Sequence, residues 1–143
     1  MKLTLTIIYA LILTSSFGQG GQSGLLLFDG LYETKCVVEE DDDEGSQSYL
    51  RFYPDGQVIS VGTDCEGTID QMTDWFHINA GQVSKGKFIV TGTKVKFATT
   101  GPTGTVHYKG RITDTEIKLT WKSSINGEKG RDNYTFVRLT GLK

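Results

Sequence analysis

The chain has 143 residues, which is enough for one domain and too few for two of ordinary size. It carries 15 basic and 17 acidic residues, for a formal net charge of −2, and six of the acids are consecutive at residues 39–44. Neither the near-balance of charge nor this single acidic run is typical of a nucleic-acid-binding protein. We therefore expect no nucleic-acid partner.

Residues 1–18 have the pattern of a secretory signal peptide. Lys2 provides a positive charge, residues 3–13 are mostly apolar, and small residues precede a cleavage site expected before Gln19. The apolar run is well short of the ~20 residues that span a bilayer. We predict a secreted or periplasmic protein without a membrane span, in which residues 19–27 form a flexible lead-in.

Residues 48–62 show the clearest structural pattern in the body of the chain. Leu50 and Phe52 alternate with polar and aromatic residues, which is the period of a strand with one buried face. Pro54 sets φ for the first half of a turn and Gly56 supplies the positive φ that completes it. The pattern predicts a β-hairpin.

The same alternation recurs before and after this hairpin. One face of each run is apolar and the other is charged, as in an antiparallel sheet with one solvated side. The predicted strands, besides the two of the hairpin, are residues 31–38, 87–91, 94–99, 105–112, 116–122 and 133–139.

Eight strands in sequence, joined mostly by short turns, predict an all-β fold. We favour an antiparallel up-and-down barrel over residues 28–139, because a barrel buries one face throughout and leaves no free edge. A β-sandwich is the alternative, but sandwiches usually need Greek-key crossovers. Only the connection 63–84 looks long enough for one.

The connection 63–84 contains a candidate helix at residues 68–76, because its apolar residues fall at spacings of three and four.

Cys36 and Cys65 are the two cysteines of the chain. An even number of cysteines in an exported chain predicts a disulfide. Two buried free thiols are the alternative, and no spacing supports a zinc site. A bond between them would hold 63–84 over the barrel mouth as a lid.

Catalytic and metal-binding patterns are weak. The acidic run has a glycine where an EF-hand needs one, but the twelfth position is Arg51 instead of glutamate. There is no GxSxG nucleophile motif, and His77 and His107 are the only histidines. We predict a protein that is not an enzyme and that has no metal or cofactor.

The inward aromatic residues have two interpretations. They line a pocket for a small apolar molecule, or they fill the barrel, since eight-stranded barrels of both kinds exist. The short strands favour a filled or nearly filled core. If a pocket is present, the predicted ligand contacts are Phe52, Phe88, Phe97, Tyr108 and Trp121 in the barrel, with Trp75 and Phe76 on the lid.

The segment from Phe28 through Gly30 to Tyr32 resembles a degenerate lipocalin G-x-W signature, with Tyr32 in the place of the tryptophan. Arg138 matches the late arginine that packs across that aromatic residue in lipocalins. Residues 28–139, which include the hairpin and the strand segments after it, resemble small exported bacterial lipocalin-like proteins. The resemblance implies a barrel of the calycin type that binds a small apolar or amphipathic molecule. The alternative is a filled barrel that binds a macromolecular partner through its long loops.

Overall fold

The structure, a computed structural model, describes residues 25–142. Within that range it has eight strands and one helix. In chain order they are β1 Gly30–Glu33, β2 Gln47–Phe52, β3 Gln57–Thr63, α1 Ile69–Trp75, β4 Ser84–Thr91, β5 Lys94–Gly101, β6 Gly104–Ile112, β7 Glu116–Ser123 and β8 Lys129–Arg138. The predicted signal peptide and most of the predicted lead-in lie outside the described residues.

The strands form a closed barrel. Each pairs antiparallel with its neighbour in the chain, and β8 returns to β1 through four residue pairs, from Gly30↔Arg138 to Glu33↔Thr135. Closure removes both free edges of the sheet. The predicted up-and-down barrel is confirmed, and the sandwich is excluded because successive strands are always adjacent.

The hairpin of β2 and β3 forms as the sequence predicts. Six residue pairs join the two strands, from Gln47↔Thr63 to Phe52↔Val58. At the turn, Gly56 has φ of 91° and its amide donates to the carbonyl of Tyr53 at 3.0 Å. A residue with a Cβ would be strained there.

Two strand ends differ from the prediction by about four or five residues. β1 ends at Glu33 instead of residue 38, because the chain leaves the sheet towards the disulfide, and only the isolated bridge Val37↔Ser46 follows. β8 begins at Lys129 instead of residue 133, which places Asp132 inside a strand. The earlier start matters because it adds a carboxylate to the inner face.

The two ends of the barrel differ in their connections. The turns that follow β2, β4 and β6 are tight, and we call their side the closed end. Most of the longer connections, including residues 34–46 and 64–83, lie at the opposite end, which we call the mouth. This arrangement follows from the antiparallel order of the strands.

A second hydrophobic cluster covers the outer face of β1–β3. Leu31, Tyr49 and Ile59 point away from the barrel interior and pack against Met72 and Phe76 of the α1 region. We call this the outer cluster. The helix therefore lies against the side of the barrel and not over its mouth, so the expected lid geometry is wrong. The physical reason is that β1, β2 and β3 each place a large apolar or aromatic side chain on the outer face, and these side chains need a cover.

Local signals determine where α1 begins. Thr68 is the N-cap, and its hydroxyl accepts from the amide of Gln71 at 3.3 Å. The side chain of Gln71 accepts from the Thr68 amide at 3.0 Å, which completes a capping box. At the other end, the carbonyl of Phe76 accepts from Arg51 and, at 2.7 Å, from the hydroxyl of Tyr53. These bonds hold the end of α1 to β2.

Candidate functional site

Aromatic rings fill much of the barrel interior. The ring of Phe52 lies edge-on to those of Tyr32, Phe88 and Phe97, at centroid distances of 5.6, 5.2 and 5.5 Å. Phe97 in turn stacks on Tyr108 at 4.6 Å. Such contacts are favourable packing geometries for aromatic side chains. Three predicted ligand contacts, Phe52, Phe88 and Phe97, therefore pack against one another within this cluster.

Residues 25–29, just before β1, lie at the closed end of the barrel. Leu26, predicted to lie in a flexible lead-in, is only 4% exposed and packs into the inner core. The amide of Leu27 donates to the hydroxyl of Tyr32 at 3.0 Å. The Nε of Arg138 donates to Asp29 at 2.6 Å on the surface. The ring that contacts Tyr32 from β8 is that of Phe136, at 5.1 Å.

The mouth contains a pocket of about 270 Å³. Its walls come from the inner faces of β2, β6, β7 and β8, and its rim comes from the loop between β7 and β8. We call it the mouth pocket. Its wall residues are Ser48, Val106, Tyr108, Trp121, Ser123, Asp132 and Tyr134, and its rim residues are Asn126 and Glu128.

Asp132 places a carboxylate among the aromatic walls of the mouth pocket. The register pairs it with Leu119, whose side chain is buried in the inner core. Burial raises the pKa of Asp132, and a hydrogen bond from Trp121 opposes the rise. The only donor that a tryptophan side chain has is its indole N–H. A partly buried carboxylate with one such neutral donor keeps acceptor capacity for a further donor.

Two tyrosine hydroxyls share the pocket with this carboxylate. The hydroxyl of Tyr108 lies 3.4 Å from Ser60 Oγ, and that of Tyr134 hydrogen-bonds to Ser48. Burial raises the pKa of both tyrosines, and the charge of Asp132 raises them further. Both hydroxyls therefore stay neutral, and the carboxylate provides the negative charge of the pocket wall.

A glycine fixes the position of the indole. Gly130 pairs with Trp121 across β7 and β8, and a Cβ added at Gly130 would stand 2.7 Å from the indole ring. Trp121 therefore lies directly over the glycine backbone, where any larger residue would displace it. The same placement brings its N–H to Asp132, two residues further along β8.

The structure separates the predicted ligand contacts into three groups. Tyr108 and Trp121 line the mouth pocket. Phe52, Phe88 and Phe97 pack against each other as described above. Trp75 and Phe76 lie in the outer cluster, on the other side of the barrel wall. The difference arises because α1 covers the side of the barrel.

The polar half of the mouth pocket lies outside the predicted ligand contacts. Ser48, Asp132 and Tyr134 are not among those contacts, although all three fall on the inner face by alternation. Beginning the last strand at Lys129 would have placed Asp132 and Tyr134 beside Phe136 on one face. The missed signal was Gly127 in the preceding turn, which has φ of 77° and allows the strand to start early.

The predicted disulfide is present. Cys36 and Cys65 are bonded, with 5.5 Å between their Cα atoms. The amide of Cys65 also donates to the carbonyl of Glu44 at 3.2 Å. Together these bonds join the acidic connection between β1 and β2 to the chain that leaves β3.

Over residues 25–142, no cluster of three or more histidine, cysteine, aspartate or glutamate side chains is arranged to hold a metal ion. In the same range, the one helix is too short and too polar to cross a membrane.

Comparisons with known proteins assign no family to the chain. No protein-family model matches the chain, and a search of curated proteins finds no match. A solved structure of a fatty-acid-binding protein from Manduca sexta aligns with a TM-score of 0.38 and 16% sequence identity. The alignment covers 76% of this chain and 99% of that one. A similarity this distant carries no conclusion about a ligand, and the barrel itself rests on its strand pairing.

Proposed function

We propose that this protein binds a compact amphipathic molecule in the mouth pocket, with a positively charged or hydrogen-bond-donating group of the ligand against Asp132. The observation that carries the proposal is the carboxylate of Asp132 inside the mouth, between Trp121 and two tyrosines. Leaving such a group desolvated lowers stability unless a partner offsets the loss. A ligand that donates to it is such a partner.

The size of the pocket restricts the ligand. Its 270 Å³ is just below the ~300 to 1,000 Å³ of common ligand sites and equals the liquid volume of about nine waters. The ring of Phe97 stacks on Tyr108 of the pocket wall and packs edge-on to Phe52, so this aromatic cluster fills the interior next to the pocket. We therefore propose a ligand the size of one ring with a short substituent.

The charge of the pocket selects the head group. Of the residues that line it, Asp132 and Glu128 are acidic and none is lysine or arginine. The faces of Trp121 and Tyr108 add the negative quadrupole that attracts cations. These features favour a compact amine over a carboxylate or phosphate.

The proposed setting is outside the cytoplasm, and the protein acts as a carrier or sensor without catalysis. Disulfides persist mainly in oxidising compartments, which supports an exported protein. The pocket has one inward carboxylate and no adjacent histidine or cysteine, so its groups can hold a molecule but do not form a nucleophile and base.

The test is a binding screen with three probes of one size: phenethylamine, 2-phenylethanol and phenylacetate. Ligand-observed NMR and tryptophan fluorescence should detect phenethylamine, weaker binding of the alcohol and no binding of the acid. Asp132→Asn keeps the shape and removes the charge, and should lower phenethylamine affinity at least tenfold. Asp114→Asn is the control, since Asp114 lies in the exposed closed-end turn between β6 and β7.

A result in which none of the three probes binds, with folding intact, would overturn the proposal. Equal binding of phenethylamine by the Asp132→Asn variant and the wild type would also overturn it.

The dense interior favours a second candidate, a filled barrel that binds a macromolecule through its mouth loops. That candidate gains support if native mass spectrometry of protein purified from its source shows a bound polypeptide and no small molecule.

A further inference from the structure

The charges of the barrel are divided between its two halves. Residues 25–83 contain thirteen acidic and two basic residues, whereas residues 84–142 contain eleven basic and four acidic ones. The near-neutral total therefore hides a strongly acidic half and a strongly basic half. The basic half is the part of the wall formed by β4–β8.

The strand register gathers the basic residues into rows on the outer face. Lys96 lies opposite Lys109, Lys94 lies opposite Arg111, and Arg111 lies opposite Lys118. Like charges that are directly opposite each other on neighbouring strands are destabilising. None of the residues that line this part of the outer face is acidic. The arrangement lowers stability, and an anion bound across the rows would offset that loss.

The rows flank a concave groove of about 760 Å³ on the outer wall. Ile89, which is 70% exposed, forms part of one side. The stems of the lysines contribute further apolar surface. Gly110 and Thr120 also line the groove, and neither fills it with a long side chain. We call this the basic groove.

We infer that the basic groove binds a single chain of an acidic polysaccharide. A chain with repeated anionic groups can contact several cationic rows at once, and its sugar C–H faces match the apolar sides of the groove. A flat anionic membrane cannot enter a recess in a convex barrel wall. The disulfide indicates an oxidising compartment, where acidic polysaccharides are available and nucleic acid is an unusual partner.

The groove is independent of the mouth pocket. Its charged side chains, such as those of Lys96, Lys109 and Arg111, lie on the outer face of the wall, whereas the side chains of the pocket point inward, and the two sets of lining residues do not overlap. The inference therefore stands whether or not a small molecule binds in the mouth.

The experiment measures binding of dextran sulfate by titration calorimetry at several salt concentrations, with neutral dextran, duplex DNA and anionic vesicles as comparison probes. The logarithm of the binding constant for dextran sulfate should fall linearly with the logarithm of the salt concentration. The triple variant Lys96→Gln, Lys109→Gln and Arg111→Gln should lose at least tenfold in affinity. For this triple variant, the slope of the log binding constant against the log salt concentration should become shallower by about 2 to 3.

A control variant separates the groove from net charge. Lys85→Gln, Lys122→Gln and Lys129→Gln remove the same charge from β4, β7 and β8 without altering a groove-lining residue. It should change the affinity by less than threefold. The groove variant should melt at a higher temperature than the wild type, because it relieves like-charge pairs.

Three outcomes would overturn the inference: dextran sulfate fails to bind, the control variant loses as much affinity as the groove variant, or DNA or vesicles bind more tightly than dextran sulfate at equal salt. Asp132→Asn should leave dextran sulfate binding unchanged.

Discussion

At the scale of single residues, the side chain with the largest consequence is Asp132. It places one carboxylate in the mouth of a barrel whose deeper interior is apolar. Burial raises its pKa, so the native state binds a proton more readily than the unfolded chain does. By linkage, this group adds stability as pH falls through its native pKa, and the gain is complete below the unfolded value of about 3.9.

The variant Asp132→Asn should therefore raise the free energy of unfolding at about pH 7 and leave it nearly unchanged at about pH 3. The groups that face Asp132 are Trp121, Tyr108, Tyr134 and the rim residue Glu128. Urea denaturation of variant and wild type across this range measures the difference. An equal difference at both pH values would show that the carboxylate is not desolvated.

A second prediction concerns Gly130. The variant Gly130→Ala should push the indole of Trp121 away, because the added Cβ would lie 2.7 Å from the ring. We expect a loss of about 1 to 3 kcal/mol of stability, as in other overpacked sites. Near-ultraviolet circular dichroism should show the changed tryptophan environment. Gly62→Ala is the control, since nothing lies within 4 Å of its Cβ position.

At the scale of elements, α1 shows how a short helix is held by a sheet. A helix of seven residues is too short to be stable alone in water. Its capping box orders the first turn, and the bonds from Arg51 and Tyr53 to the carbonyl of Phe76 hold its end. The fully buried ring of Phe76 then packs on the outer faces of β1 to β3.

The variant Phe76→Ala should lower the free energy of unfolding by about 3 to 5 kcal/mol, since it removes a buried ring and leaves a cavity. Chemical denaturation measures this loss. The variant should keep the ligand affinity of the mouth pocket wherever it remains folded, because the outer cluster lies on the other side of the wall. Loss of ligand binding in a folded Phe76→Ala protein would instead make α1 part of the site.

At the scale of the whole molecule, strand pairing closes the barrel and the disulfide ties down two long mouth connections. Its partners are 29 residues apart in the chain. The acidic half of the barrel carries the disulfide and α1, whereas the basic half carries the groove. The mouth pocket lies between the two halves at one end, with walls from β2 and from β6 to β8.

The double variant Cys36→Ser and Cys65→Ser should lower the free energy of unfolding by about 3 kcal/mol, because the unfolded chain regains loop entropy. Adding a reducing agent to the wild type should produce the same loss, and the variant should not respond to it. If the reducing agent leaves the free energy of unfolding of the wild type unchanged, this expectation is wrong.

The sequence by itself determined most of the strands, because a period-two alternation such as that of Leu50 and Phe52 is a local property. It favoured a closed barrel because most connections are short, and the pairing of β8 with β1 in the structure decided closure. It also determined the disulfide, because Cys36 and Cys65 are the only cysteines. Only the tertiary structure decided what lies on each side of the wall. Alternation assigns Tyr49 of β2, and Tyr53 just after that strand, to one face. Whether solvent or α1 covers that face depends on residues distant in the chain.

The same reason explains the candidate site. Trp121 and Tyr108 could be assigned to the inner face from their own strands. Their meeting with Asp132 depended on the starting residue of β8 and on the register between β7 and β8. Whether the barrel holds a cavity depends on how Phe52 and its neighbours interlock, which is a property of packing in three dimensions.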